Sequence, residues 1–396
     1  MIKTKRFKPD IIIIGAGISG CTVANIMAEN NKNVLILDKR DRIGGNCADS
    51  LMDNYYVHDY GPHIFHTSND DVWAFVNEFT SFNNFVNSPL VKAEGNDKEL
   101  FNLPFNMNLF SKFFGEYNPS KIKRIIEEDI EGSCKKYNID KENPKNLEEQ
   151  AISLVGKKIY NAFIKSYTEK QWGKSCKELD ASIIKRLPLR FTFNNNYFND
   201  YYQGIPENGY SEMLNKMIDD KKIQVRLNID FNYCKEAILK YVKLKNIPLV
   251  YTGPIDELFD YKFGKLEWRT VKFEHELVHV PNYQGNAVIN YATKDDTHTR
   301  IIEHKHFTCI FDQDIYQSNR TLISKEYSIE WKPGMEPYYP INNESNFEIL
   351  QKYQEEANKN ENLYLLGRLA EYRYKDMAPS IDDAIKLSWE IINYFS

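Results

Sequence analysis

The sequence predicts an α/β fold: a parallel-sheet domain that opens and closes the chain, an inserted helical domain and an antiparallel β-sheet domain. Three observations lead there. Residues 10–45 read as strand, glycine turn, helix and strand. Residues 105–175 carry apolar side chains at helical spacing, and residues 268–345 alternate, with many aromatic and β-branched side chains. The 396 residues exceed one compact core and suit two or three packed domains.

Ile11–Ile14 is a continuous apolar run, as a parallel strand buried on both faces requires. Lys3, Lys5, Arg6 and Lys8 precede it, as in a signal peptide. Four apolar residues running into a glycine turn read better as a first strand. Val23, Ile26 and Met27 give a helical stripe, and Val34–Leu37 the second strand. Asn118-Pro119 supplies a cap and a proline at a helix start, with Ile122, Ile125, Ile126 and Ile130 on one face. Asn146 caps a second helix, with Glu149 in the capping-box position, and its stripe runs through Ile152, Val155, Ile159 and Phe163. Ala287–Tyr291 and Arg320–Ser324 read as antiparallel strands. Leu363–Leu366, closed by Gly367, is a last strand. Ser380, with Asp383 three residues on, boxes the start of a final helix carrying Ile385, Trp389 and Ile392.

Composition excludes more than it selects. The net charge is −5 with both signs dispersed, so no basic face is available for nucleic acid. No stretch approaches the length of a membrane span. Six scattered cysteines without a C-x-x-C pair suit a reducing, cytoplasmic location. The 26 Tyr, 23 Phe and 5 Trp suit stacking on nucleotides or sugars, but on composition alone a Tyr-rich core is the better reading.

Gly15-Ala16-Gly17-Ile18-Ser19-Gly20 completes G-x-G-x-x-G between the first strand and its helix, and Asp38 ends the next strand. Glycines let the backbone approach a pyrophosphate, the helix N-terminus stabilises its charge, and the acid binds ribose hydroxyls. The doublet in Arg42-Ile43-Gly44-Gly45-Asn46 and the late Gly367-Arg368 look like glutathione-reductase-like FAD proteins. The first domain is therefore expected to be Rossmann-like and to bind FAD. The fingerprint occurs once, so no second domain for NAD(P)H is evident.

Three other patterns carry no metal site. His275-Glu276-Leu277-Val278-His279 matches a zinc-protease motif, but Val271 and Phe273 alternate before it and Pro281 follows. On a strand, residues four apart share a face yet lie too far apart to chelate one ion. His304-Lys305-His306 and His63-x-x-His66 lack partners at zinc spacing.

Seven strings then stand in one order: Gly61-Pro62-His63-Ile64-Phe65-His66; Tyr167-Thr168-Glu169-Lys170-Gln171-Trp172-Gly173; Lys185-Arg186-Leu187-Pro188; Asn196-Tyr197-Phe198; Thr299 to Lys305; Pro337-Tyr338-Tyr339-Pro340; and Gly367 to Met377. Together they make the whole chain resemble bacterial UDP-galactopyranose mutases. The resemblance implies a non-redox ring contraction between UDP-galactopyranose and UDP-galactofuranose, with reduced FAD as covalent nucleophile at the anomeric carbon. It implies an FAD domain of residues 1–82, 204–262 and 345–396, and a helical domain of 102–187 with a mobile lid. Residues 83–101, 188–203 and 263–344 would form the sheet domain.

The matched positions carry implied roles. Arg186, on the lid, and Arg300 stabilise the diphosphate leaving group, a task suited to a permanently charged fork. Phe163 and Tyr167, four apart on one predicted helix, stack on uracil. Thr168 and Trp172 adjoin the substrate, with Trp172 lining the sugar pocket. Tyr197, Tyr339 and Tyr374 bind diphosphate and sugar, and Asn87, Asn290 and Asp376 match further active-site positions. His63 lies close to the flavin. FAD contacts fall on Gly15, Gly17, Ile18, Ser19, Gly20, Asp38, Lys39, Gly44, Gly45, Asn46, Gly61, His63, Ile64, Arg368 and Met377. The final helix would direct its positive end at the reduced flavin. Ser166 stands where many relatives have glycine. A homodimer is expected. Alternatives are a mutase for UDP-N-acetylgalactosamine or dTDP-fucose, an amine-oxidase-like flavoprotein, and a non-catalytic binding protein related to GDP-dissociation inhibitors.

Overall fold

The computed structural model describes residues 7–95, 99–184, 187–308 and 317–395. A five-stranded parallel sheet forms its nucleotide-type half, in the order Leu363–Leu365, Leu249–Tyr251, Ile11–Ile14, Val34–Leu37, Ile223–Arg226. Successive side chains of a strand point to opposite faces. Ile11 and Ile13 accordingly join Val23, Met27 and Ile381 in one core, while Ile12 and Ile14 join Leu249 and Tyr251 in another. Both faces are covered, so the run has no polar alternation. Helices Ile18–Glu29 and Met377–Phe395 pack against each other beside the first core.

The second sheet has seven strands, in the order Tyr339–Pro340, Trp268–Val278, Thr321–Glu330, Arg300–Glu303, Val288–Tyr291, Leu90–Lys92, Leu100–Asn102. It is not wholly antiparallel: Leu90–Lys92 runs parallel to Val288–Tyr291. Hairpin turns force antiparallel pairing only between neighbours in sequence. Leu90–Lys92 arrives from a distant part of the chain and is free of that constraint. His275 lies within the strand Trp268–Val278 and His279 just beyond it.

Helix starts follow their caps. Asn118 accepts from Ser120 and Lys121 ahead of Pro119–Tyr137, and Asn146 accepts from Glu149 ahead of Leu147–Ile159. Glu149 reaches back to the Lys145 amide rather than to that of Asn146.

Two sequence expectations are corrected. The stripe through Ile159 to Phe163 does not continue one helix. Gly156 adopts φ 80° and breaks it, and a π turn, Tyr160–Ile164, precedes Lys165–Trp172. A Cβ on Gly156 would lie 2.3 Å from Asp129 Oδ2, and the same oxygen accepts the Lys158 amide at 2.9 Å. Asp129 thus satisfies a backbone donor that the break releases. The final helix begins at Met377, not near Ser380. Ser380 sits one turn inside, and its amide and hydroxyl both donate to the Asp376 carbonyl.

No described helix is long and apolar enough to cross a membrane. Among the described residues, no cluster of three His, Cys, Asp or Glu side chains could hold a metal ion.

Candidate active site

A cleft of about 660 Å³ is lined from both sheets. One wall is the glycine turn. Gly15 has φ 106°, and a Cβ there would stand 2.0 Å from Thr252 Oγ1 on the neighbouring strand end. A Cβ on Gly20 would meet the Gly15 carbonyl at 2.1 Å, so only glycine lets the helix Ile18–Glu29 start this close to the strand. The doublet has an equally direct cause. The Gly44 amide donates to the Ala16 carbonyl at 2.8 Å, and a Cβ on Gly45, at φ 57°, would come within 2.9 Å of Gly17 Cα. The two glycine segments lie backbone against backbone.

Asp38, buried at the end of the second strand, accepts the Ala16 amide at 2.6 Å and the Arg40 amide at 2.8 Å. Each oxygen keeps a lone pair for a ribose hydroxyl. Every expected cofactor position lines this cleft: Gly15, Gly17, Ile18, Ser19, Gly20, Asp38, Lys39, Gly44, Gly45, Asn46, Gly61, His63, Ile64, Arg368 and Met377. The start of the last helix, at Met377, therefore faces the cofactor region. Close glycine approach, a helix N-terminus and a ribose acid together fit a dinucleotide such as FAD.

His63 Nδ1 lies 2.6 Å from the Gly61 carbonyl, to which it donates. Burial, with help from His58 and Arg368, pushes its pKa down to about 3, so the ring is neutral at pH 7. His58 is buried behind it, accepts the His63 amide on Nδ1 at 3.0 Å, and is pushed down to about 4 by burial.

The other wall is cationic and aromatic. Asn87, Tyr167, Tyr197, Asn290, Arg300, Tyr339, Tyr374 and Asp376 line it. Arg300 donates through Nε to Glu326 Oε2 at 2.6 Å. That choice turns the terminal N–H groups of the fork to other acceptors, the Tyr339 hydroxyl among them. Burial opposes the guanidinium charge, but Glu326, Tyr167 and Tyr339 outweigh it and hold Arg300 firmly protonated. Burial pushes the hydroxyls of Tyr167 and Tyr339 up against the opposing pull of Arg300, so both remain donors at neutral pH. Tyr374 donates to Asp376 Oδ1 at 2.9 Å.

Three expected residues do not line the cleft. Phe163 is buried against Phe101, Phe105 and Phe113 in the helical core. The π turn is the reason: it changes the angular period, so residues four apart no longer project along one line. Thr168 is buried, and Trp172 packs on the same helical core. Arg186 lies outside the described residues. Ser166, the departure from glycine, is buried and donates to Glu94 Oε2 at 2.8 Å.

Sequence reasoning missed several groups. Glu326 faces Arg300 only because their strands pair in register. His66 stacks on Phe198 with ring centroids 3.7 Å apart, and its Nδ1 meets Asp200 at 2.7 Å. Residues 134 apart in sequence give no local signal of such a pair. Glu336 joins Lys39 and Arg40 across the cleft.

This fold and site define a class: a dinucleotide-binding protein with an anion-receiving pocket beside its cofactor cleft. A family profile described as UDP-galactopyranose mutase matches residues 162–374, and one described as NAD(P)-binding Rossmann-like domain matches residues 13–79. A probable UDP-galactopyranose mutase of Klebsiella pneumoniae is 38% identical over 388 residues, covering 97% of this chain and 95% of the relative. A dTDP-fucopyranose mutase of Escherichia coli is 35% identical over 380 residues, covering 95% and 96%. The crystal structure of a reduced UDP-galactopyranose mutase superposes with a TM-score of 0.69 over 98% of this chain and 94% of that one, at 16% identity, which speaks to the fold. The chain belongs to the UDP-galactopyranose mutase family, whose members are FAD-binding isomerases of nucleotide sugars.

Proposed function

We propose that this protein interconverts UDP-galactopyranose and UDP-galactofuranose by a non-redox ring contraction that requires reduced FAD. One observation carries most of the weight: Arg300, oriented by a buried glutamate, shares a single cleft with the Gly15–Gly20 turn. A fixed cation beside a flavin-type site suits a reaction whose leaving group is a diphosphate.

Reduced flavin would supply the nucleophile that displaces UDP from the anomeric carbon. The chain's own part is to bind and hold. Arg300 presents its terminal N–H groups to the diphosphate and stabilises the charge that grows as the sugar bond breaks. Arg186 is proposed as the second such cation, carried by a closing lid that excludes water. Tyr167 offers a flat face to uracil, and Tyr197, Tyr339 and Tyr374 offer hydroxyls to diphosphate and sugar. Asn87, Asn290 and Asp376 orient the sugar. Neutral His63, fixed by its hydrogen bond to the Gly61 carbonyl, would lie near the bound flavin without adding positive charge. A cytoplasmic homodimer completes this reading.

The deciding experiment incubates dithionite-reduced protein with UDP-galactofuranose and separates the products by chromatography. UDP-galactopyranose is expected from reduced protein only. Equal activity in oxidised protein would overturn the flavin-nucleophile role. The comparable identity of the E. coli dTDP-fucopyranose mutase favours one second reading, a mutase for that nucleotide sugar. Parallel assays with dTDP-fucopyranose distinguish them by kcat/KM.

A further inference from the structure

Glu336 sits three residues before Tyr339, at the head of Glu336-Pro337-Tyr338-Tyr339-Pro340. This run belongs to the sheet half: Tyr339–Pro340 pairs with the strand Trp268–Val278, and the Tyr338 amide donates to the Arg269 carbonyl. Its carboxylate, however, reaches the cofactor loop. Oε2 takes Arg40 Nη2 at 2.9 Å and Oε1 takes Lys39 Nζ at 3.2 Å. Those two cations directly follow Asp38, the ribose acid, which itself accepts the Arg40 amide. Arg40 is held from two further sides. Its Nη2 donates to Asn46 Oδ1 at 2.9 Å, and its guanidinium lies 4.9 Å above the Tyr60 ring. The Tyr60 ring in turn lies 6.0 Å from that of Tyr338, which is buried.

We infer that Glu336 is a positioning residue that couples the cofactor loop to the substrate-facing Tyr339, so that FAD and the nucleotide sugar bind with positive cooperativity. Each oxygen of one carboxylate engages a different cation of the same loop, so neither partner can shift alone. Pro337 restricts the backbone between Glu336 and the tyrosines. Ordering Asp38 to Asn46 around a dinucleotide fixes Arg40, hence Glu336, hence the turn that carries Tyr339. Coupling of this kind is reciprocal: if FAD tightens UDP binding, UDP must tighten FAD binding by the same factor. The inference rests on the nucleotide-sugar reading above, because UDP is the second ligand.

The test follows release of FAD from the holoprotein by recovery of flavin fluorescence, with and without saturating UDP. UDP binding is titrated separately by calorimetry. In the wild type, UDP should lower the FAD dissociation constant by about fivefold or more. In Glu336→Gln, which keeps shape and removes charge, that factor should fall towards one. Glu336→Asp keeps the charge but is a methylene shorter, and should retain part of the coupling. Added salt should erode the factor in the wild type, since the cations are partly exposed. A merely structural glutamate would lower the melting temperature and leave the factor intact, and that result overturns the inference. So does a wild-type factor of one while UDP binds normally. UDP that fails to bind the holoprotein at all would sink the nucleotide-sugar reading and this coupling with it.

Discussion

Replacing Arg300 by methionine removes the guanidinium and strands Glu326, whose side chain is 1% exposed. Among the described residues, the carboxylate then keeps the Thr299 hydroxyl, 3.1 Å from Oε1, as its side-chain partner. Breaking a buried ion pair from one side costs about 3–5 kcal/mol. The lower end applies, because the Arg300 side chain retains 22% exposure and water can reach the gap. Adding Glu326→Gln in the same background removes the stranded charge while its amide still meets Thr299. The double variant should therefore regain roughly 2 kcal/mol of the loss. Urea unfolding of Arg300→Met, Glu326→Gln and the double variant reads these differences directly. Turnover should behave otherwise. Losing a fixed donor at a developing oxyanion lowers kcat by about 10²–10³, and no repair of stability restores it. Arg300→Met as stable as wild type would refute the buried-pair argument. A double variant that recovers turnover along with stability would refute the leaving-group role.

Gly45→Ala should weaken FAD binding by at least about tenfold, because its Cβ would stand 2.9 Å from Gly17 Cα at a positive φ; Gly285→Ala, at φ 73° with nothing within 4 Å, is the control that isolates backbone strain. Stability should fall as pH drops from about 6.5 towards 4. His58 is pushed down to about 4 by burial, so the unfolded chain takes up a proton in that window and the folded chain does not. The share from His58 is roughly 3 kcal/mol, and thermal melts of His58→Gln should show a shallower slope. Phe163→Leu should cost about 1–2 kcal/mol of folding stability and leave UDP affinity unchanged, whereas Tyr167→Leu should weaken UDP binding; a large UDP effect at Phe163, measured by calorimetry, would contradict its placement in the helical core.

Features governed by neighbours in sequence were legible in advance. The first strand, its glycine turn, Asp38 and the glycine doublet each have a local cause: backbone approach, helix start, strand end. All of the expected cofactor positions line the cleft. The Asn118 and Asn146 caps obey the same logic, since a cap acts within three residues. Local rules failed where a distant group intervened. Asp129 occupies the space beside Gly156 and accepts the amide that the helix break frees, and Phe163 turns into the core. The last helix is a local miss instead: it begins at Met377, and Ser380, one turn inside, bonds back to the Asp376 carbonyl four residues away rather than capping.

The sequence by itself determined that this chain holds a dinucleotide, because binding a pyrophosphate against backbone demands glycines at fixed spacing between a strand and a helix. Its ordered strings also marked Arg300 and the tyrosines as a group. Only the tertiary structure decided how that group is held. Glu326 reaches Arg300 through strand register, His66 meets Asp200 across 134 residues, and Glu336 crosses from the sheet to Lys39 and Arg40. Charge pairing acts over a few ångströms in space and is blind to separation along the chain, so no local pattern could announce these partners.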